Sequence, residues 1–196
     1  MTPEFEERDP QNSPQKFSHQ SQSPAVMLGE FRGWVKDILL AVVIAILMVV
    51  FLYQPVKVEG TSMQPELVDQ ERIFVNKFVY HFEEIHRGDI VVFWYPKDPS
   101  KSFIKRVIGI PGDVVSIKNG RVYVNAQLLE ERYVPRSYQD LDSFPTVRVK
   151  EDHYYVLGDH RNASNDSRSW GLVPRKYIYG KAVFRYWPME KAGFIE

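Results

Sequence analysis

The chain has 196 residues, 25 of them basic and 25 acidic, a formal net charge of zero and no cysteine. That length holds one sizeable domain plus appendages. Balanced charge removes the electrostatic case for a nucleic-acid partner, and the lack of thiols excludes a disulfide framework, a thiolate nucleophile and a Cys-based zinc site.

Residues 1–30 are polar, with Pro, Gln, Ser and Glu and few large apolar side chains. Such a stretch cannot bury enough surface to offset its ordering entropy, so it predicts a disordered tail. Ile38 to Tyr53 then reads ILLAVVIAILMVVFLY, with no charged side chain. With Trp34 and Val35 it reaches about 20 residues, the length that crosses a bilayer as a helix. A core helix would keep a polar face, and a cleaved signal peptide would end in small-x-small rather than Phe51-Leu52-Tyr53-Gln54-Pro55. The pattern predicts an uncleaved transmembrane signal anchor over 34–54. Arg32 and Lys36 before it, against Lys57 after it, place the tail in the cytoplasm and the rest outside.

From 56 to 190 the chain reads as one extracytoplasmic, β-rich domain. Ile90–Phe93 and Ser102–Ile110 are apolar runs bounded by Gly-Asp and Pro-Gly-Asp. Val114–Lys118 and Arg121–Val124 flank Asn119-Gly120, a pair that tolerates positive φ at both centres of a type I′ turn, and so predict a hairpin. His153–Leu157 and Ala182–Trp187 read as further strands. Segment 126–150 mixes Glu, Arg, Tyr, Pro and Asp and reads as an inserted arm or a small β lobe.

Three segments carry chemistry. In Gly60-Thr61-Ser62-Met63-Gln64-Pro65, a serine after glycine at a strand-to-turn transition exposes a hydroxyl and a free N–H, as a nucleophile with half an oxyanion hole requires. The same residues also suit a helix N-cap. In Ser102–Ile110 (SFIKRVIGI), alternation puts Lys105 and Arg106 on opposite faces. A buried lysine loses much of its basicity and becomes a general base; a snorkelling lysine would keep it. The loop Gly158 to Gly171 (GDHRNASNDSRSWG) holds more Asp, Asn, Ser and Arg than a connection needs, although a surface loop is also built from such residues. Gly88-Asp89 before Ile90 reads as a structural turn.

In this order, behind one N-terminal apolar span, G-x-S-M-x-P, K-R-V-x-G-x-P-G-D and G-D-x-R-x-x-S-x-D-S-R resemble the bacterial type I signal peptidases, the leader peptidases of the S26 family with a Ser/Lys dyad. The likeness covers roughly 34–188. It implies a mainly β, antiparallel, two-lobed, barrel-like catalytic domain, with 113–155 as the smaller lobe. It implies Ser62 as nucleophile, Lys105 as general base, Ser164 as the hydroxyl holding the Lys105 amine, and Asp166 with Arg168, together with Asp159, as braces. It implies signal peptides of exported preproteins as substrates, cut after small residues at the first and third positions before the scissile bond. Val58, Met63 and Ile104 are candidate pocket walls, and the strand edges Val56–Glu59 and Ser102–Lys105 are candidate docking strands. The setting implied is a plasma membrane or an internal photosynthetic one, with membrane lipid as a partner and no metal, cofactor or nucleic acid.

Two positions depart from the pattern. Some members carry a serine where Gly60 stands, which leaves the second oxyanion donor open, and many carry Asn where His160 stands. His160 also raises a rival triad of Ser62, His160 and Asp159, awkward because acid and imidazole would be sequence neighbours. A self-cleaving Ser/Lys repressor would need a DNA-binding head. A tethered β-barrel binding module would need neither Ser62 nor Lys105.

Overall fold

The computed structural model describes residues 24–195, with the side chains of 33–47 and 52–195. The chain divides between Ile46 and Leu47 into two units, each described by itself. The first holds most of helix α1 (Pro24–Leu52). Pro24 opens it, in the position where a missing N–H costs nothing. Residues 24–30, expected as tail, are therefore helical, and the expected tail before them lies outside the described residues. Every described side chain of α1 in this unit is exposed, among them Leu39 and Leu40 at 62 and 60%. Among the described residues no helix is long and apolar enough to cross a membrane. The expected span 34–54 includes residues 48–51, whose side chains are not among those described, and α1 ends at Leu52.

In the second unit every strand pairing is antiparallel. Its larger sheet contains β1 (Tyr53–Lys57), β2 (Arg72–Asn76), β3 (Ile90–Tyr95) and β4 (Asp98–Gly109). The short helix α2 (Val79–Phe82) joins β2 to β3. The smaller sheet is built from β5 (Val114–Lys118), β6 (Arg121–Val124), β7 (Gln127–Leu128) and β8 (Phe144–Arg148). The chain then returns to the larger sheet with β9 (His153–Leu157), helix α3 (Ser167–Trp170), β10 (Val173–Pro174), β11 (Ile178–Trp187) and β12 (Gly193–Phe194). Strand order is β1-β2-β11-β3-β4-β9-β10 in the larger sheet, with β12 also on β11, and β7-β6-β5-β8 in the smaller.

The larger sheet does not close, which corrects the barrel-like expectation: β1 ends one side of the order and β10 the other. The physical reason lies in β4. Only Arg106 to Gly109 pair with β9, so residues 98–105 have β3 on one side and no ladder on the other among the described residues.

Strand alternation distributes the core. In β3, Val91 and Phe93 join Val107, Val156 and Ile178 in one cluster. Ile90 and Val92 join Met63, Leu67, Ile73 and Val75 on the opposite face. A strand covered on both faces reads as a continuous apolar run, as IVVF does. A third cluster joins Ile108, Tyr155 and Leu157 to Val115, Ile117 and Val122 of the smaller sheet. Asn119 and Gly120 have φ of 48° and 72°, the pair of positive values a type I′ hairpin needs. A Cβ on Gly120 would run into the Asp140 carbonyl.

Candidate active site

Ser62 sits in a turn just past β1. Gly60 has φ of 92° and donates its N–H to Asp69 Oδ1 at 2.8 Å. The Gln64 N–H closes onto the Thr61 carbonyl at 3.0 Å. The Ser62 N–H donates to no group among the described residues. Its carbonyl accepts from the His160 N–H at 3.1 Å, which ties the turn to the 158–171 loop.

Lys105 is 4% exposed. Its Nζ lies 2.7 Å from Ser62 Oγ and donates to the Ile104 carbonyl at 2.9 Å. Burial pushes its pKa from 10.5 down to about 8, against the opposing pull of Asp166 and Asp159. The alternation expected of β4 holds: the next residue, Arg106, points the other way. It too is buried, at 3%, and its guanidinium grips Asp159 through Nε at 3.0 Å and Nη2 at 2.8 Å. Burial pushes the Asp159 carboxyl up while Arg106 holds it down.

Asp166 and Arg168 meet. Asp166 is fully buried and accepts from Arg168 Nε and Nη2, both at 2.8 Å, and from the Gly158 N–H at 3.1 Å. Arg168 also reaches Asp140 at 2.8 Å and the Arg161 carbonyl at 2.7 Å. Arg161 in turn spans the Gly158 carbonyl and both oxygens of Glu131. Two buried guanidiniums thus knit the loop to the segment after β7.

Ser164 departs from its expected role. Its Oγ is buried and makes no hydrogen bond, and the Lys105 amine is held by Ser62 and Ile104 instead. Ser164 is packed on Gly158, where an added Cβ would overlap the Ser164 hydroxyl and the Ser62 carbonyl. The bare Gly158 Cα therefore lets Ser164 and the Ser62 turn approach each other.

The His160 triad fails on geometry. The His160 ring stacks on Tyr138, centroids 4.0 Å apart, with Nδ1 3.1 Å from the Thr61 carbonyl. Asp159 is committed to Arg106.

Ser62 and Lys105 open into a groove of about 370 Å³. One wall is Val56–Gly60; the other is Ser102–Ile104 on the unpaired flank of β4. Val58 and Met63 reach the groove but are 3 and 2% exposed and belong mainly to the core beneath it. Ile104 is half-buried. Sequence reasoning missed Glu131, Asp140, Gly158 and Arg161. An arginine in a mostly apolar strand and a loop rich in both charges signalled buried pairs, but their partners are fixed only by the fold.

The profile of the family described as signal peptidase, peptidase S26, matches residues 31–187. A signal peptidase I of Leptolyngbya laminosa is 42% identical over 169 residues, 81% of this chain and 81% of its own. A signal peptidase I of Bacillus amyloliquefaciens is 40% identical over 167 residues, 81% of this chain and 89% of its own. A probable signal peptidase I-2 of Synechocystis sp. is 39% identical over 168 residues, 82% and 75%. A crystal structure of a signal peptidase I from Enterococcus faecalis superimposes with a TM-score of 0.45 at 30% identity, over 50% of this chain and 97% of the other.

Proposed function

Since the chain belongs to the signal peptidase family, peptidase S26, whose members are serine peptidases, we propose that it removes N-terminal signal peptides from exported preproteins with Ser62 as nucleophile and Lys105 as general base. The observation that carries this is the 2.7 Å approach of a buried lysine amine to a serine hydroxyl at the foot of a groove walled by two strand edges.

The chemistry follows from the protonation state. A lysine titrating near 8 is substantially neutral at mild alkaline pH. Its lone pair takes the Ser62 proton as Oγ attacks the scissile carbonyl. The uncommitted Ser62 N–H faces the developing oxyanion. The ammonium of Lys105 then protonates the leaving amine, and water repeats the sequence on the acyl-enzyme. The preprotein lies extended in the groove and pairs with the free flanks of β1 and β4. Small residues at the first and third positions before the cut suit the shallow floor formed by Val58, Met63 and Ile104. Asp166, Arg168 and Asp159 hold the loop behind the base, and Ser164 lies in that loop. Helix α1 anchors the chain as a single pass in a plasma or internal photosynthetic membrane, its N-terminus in the cytoplasm, so that the groove meets preproteins as they leave the bilayer.

The test is cleavage in detergent of a preprotein carrying an Ala-x-Ala site. Wild type cuts at that site, while Ser62→Ala and Lys105→Ala stay folded and lose about 10⁴-fold or more, the scale seen when a catalytic unit is dismantled. A folded Lys105→Ala protein that still cuts would place the base elsewhere.

A further inference from the structure

A second groove, of about 560 Å³, shares no residue with the one beside Ser62. Lys77, His81, Arg175 and Lys176 line it, and no carboxylate does. None of its three permanent cations enters an ion pair among the described residues. Arg175 is nonetheless fixed in place: Nη2 donates to the Tyr80 carbonyl at 2.7 Å, and the guanidinium lies over the Tyr80 ring at 5.6 Å. Those neutral partners position its charge without cancelling it.

Aromatic side chains complete the wall. Trp94 and Tyr179 are in ring contact with centroids 4.9 Å apart, and Phe78 and Trp94 remain 39 and 43% exposed. Beside the groove Phe82 stands 87% exposed. Uncompensated cations interleaved with exposed amphipathic aromatics are poorly suited to plain water and well suited to the headgroup layer of a membrane. Within the same unit, the Lys77 N–H donates to the carbonyl of Leu52 at 3.3 Å, which fixes the backbone at one end of the groove.

We propose that this groove binds the headgroup of an anionic phospholipid, with its phosphate between Lys77, Lys176 and Arg175 and its ester region against Phe78 and Trp94. The inference rests on reading α1 as a membrane anchor. It adds a lipid-selective contact on the folded domain itself.

The full chain in neutral detergent is titrated with short-chain phosphatidylglycerol, short-chain phosphatidylcholine and inorganic phosphate. Tryptophan fluorescence is followed, with Trp94→Phe identifying the Trp94 signal. Phosphatidylglycerol gives a saturable change and phosphatidylcholine does not, and Lys77→Gln/Lys176→Gln weakens the response about tenfold or more. Equal responses to both lipids, or a double variant that binds like wild type, would overturn the proposal. Saturation by inorganic phosphate in the same concentration range would also overturn it, by making the groove a free-anion site. Cleavage of a soluble peptide in the same samples stays at the wild-type rate in the double variant. Loss of cleavage by wild type with the lipid response intact would sink the peptidase reading alone, and failure of the full chain to partition into vesicles would sink the anchor reading alone.

Discussion

At Lys105 the burial that lowers the basicity of the amine also costs stability. On the proposed mechanism activity follows the neutral amine, so kcat/KM is expected to rise with pH through a limb centred near 8 and flatten above it. A limb centred between 6 and 7 would instead report an imidazole. Stability follows the complementary rule. The folded pKa is depressed from 10.5 to about 8, so the unfolded chain binds the proton more tightly. Stability therefore rises as pH rises from about 8 to 10.5, and the full cost is present below that window. Lys105→Met removes the charge and keeps the volume. It abolishes cleavage yet stabilises the fold at neutral pH by up to about 3 kcal/mol before the two lost hydrogen bonds are counted, which raises the melting temperature. That advantage fades toward pH 10.5, which thermal melts across pH would show; a variant that melts lower than wild type at pH 7 refutes the account. Ser62 and Lys105 were legible as residues, one after a glycine at a strand end and one inside an apolar strand. Their 2.7 Å approach was not, because the two stand 43 positions apart and meet only when the chain between them folds back.

The buried charges of the 158–171 loop are paired, within the loop and with Arg106, Glu131 and Asp140 outside it. Asp166 takes three hydrogen bonds from Arg168, and Arg168 links it onward to Asp140 at 2.8 Å. Both Asp166 and the Arg168 side chain are buried, at 0 and 5% exposure. Arg168→Ala leaves an uncompensated buried carboxylate, so it costs about 3–5 kcal/mol of stability. Cleavage at a temperature where the variant is still folded falls as well, because the Ser62 carbonyl is held by this loop. An unchanged denaturation midpoint would show that the ion pair braces nothing. The density of Gly, Asp, Asn and Ser announced a built loop, but Glu131 and Asp140 stood among polar residues of a segment with no periodicity and gave no sign of being its partners. Among the strands, the hairpin at Asn119-Gly120 and the strand His153–Leu157 could be read from turn chemistry and apolar runs. The strand Arg72–Asn76 could not: five residues with polar ends carry too little pattern.

For the whole molecule, residues 47–196 form a compact unit with their own core. A chain starting at Leu47 folds and cuts a short soluble peptide as the full chain does. On a preprotein seated in vesicles it falls behind by about 10²-fold or more, the scale of a lost effective concentration. Equal losses on both substrates would mean that the first unit supports the fold rather than the encounter. A β-rich chain was legible from apolar runs bounded by turn residues and its antiparallel arrangement was implied by the family resemblance, whereas the open edge was not legible, since closure depends on which strand flanks stay unpaired. That open edge has a consequence for solubility. Backbone on β1 and on residues 98–105 of β4 that has no ladder on one flank among the described residues is a template on which an extended chain can add, including a second copy. Four strand prolines, Pro55, Pro99, Pro145 and Pro174, fall on β1, on that free half of β4, on β8 and on β10, all at sheet margins. Each removes one donor from an edge, and the Asp98–Lys101 ion pair at 3.0 Å adds charge beside Pro99. These margins leave room for the one short strand proposed beside Ser62 and resist the longer, uninterrupted pairing that leads to aggregation.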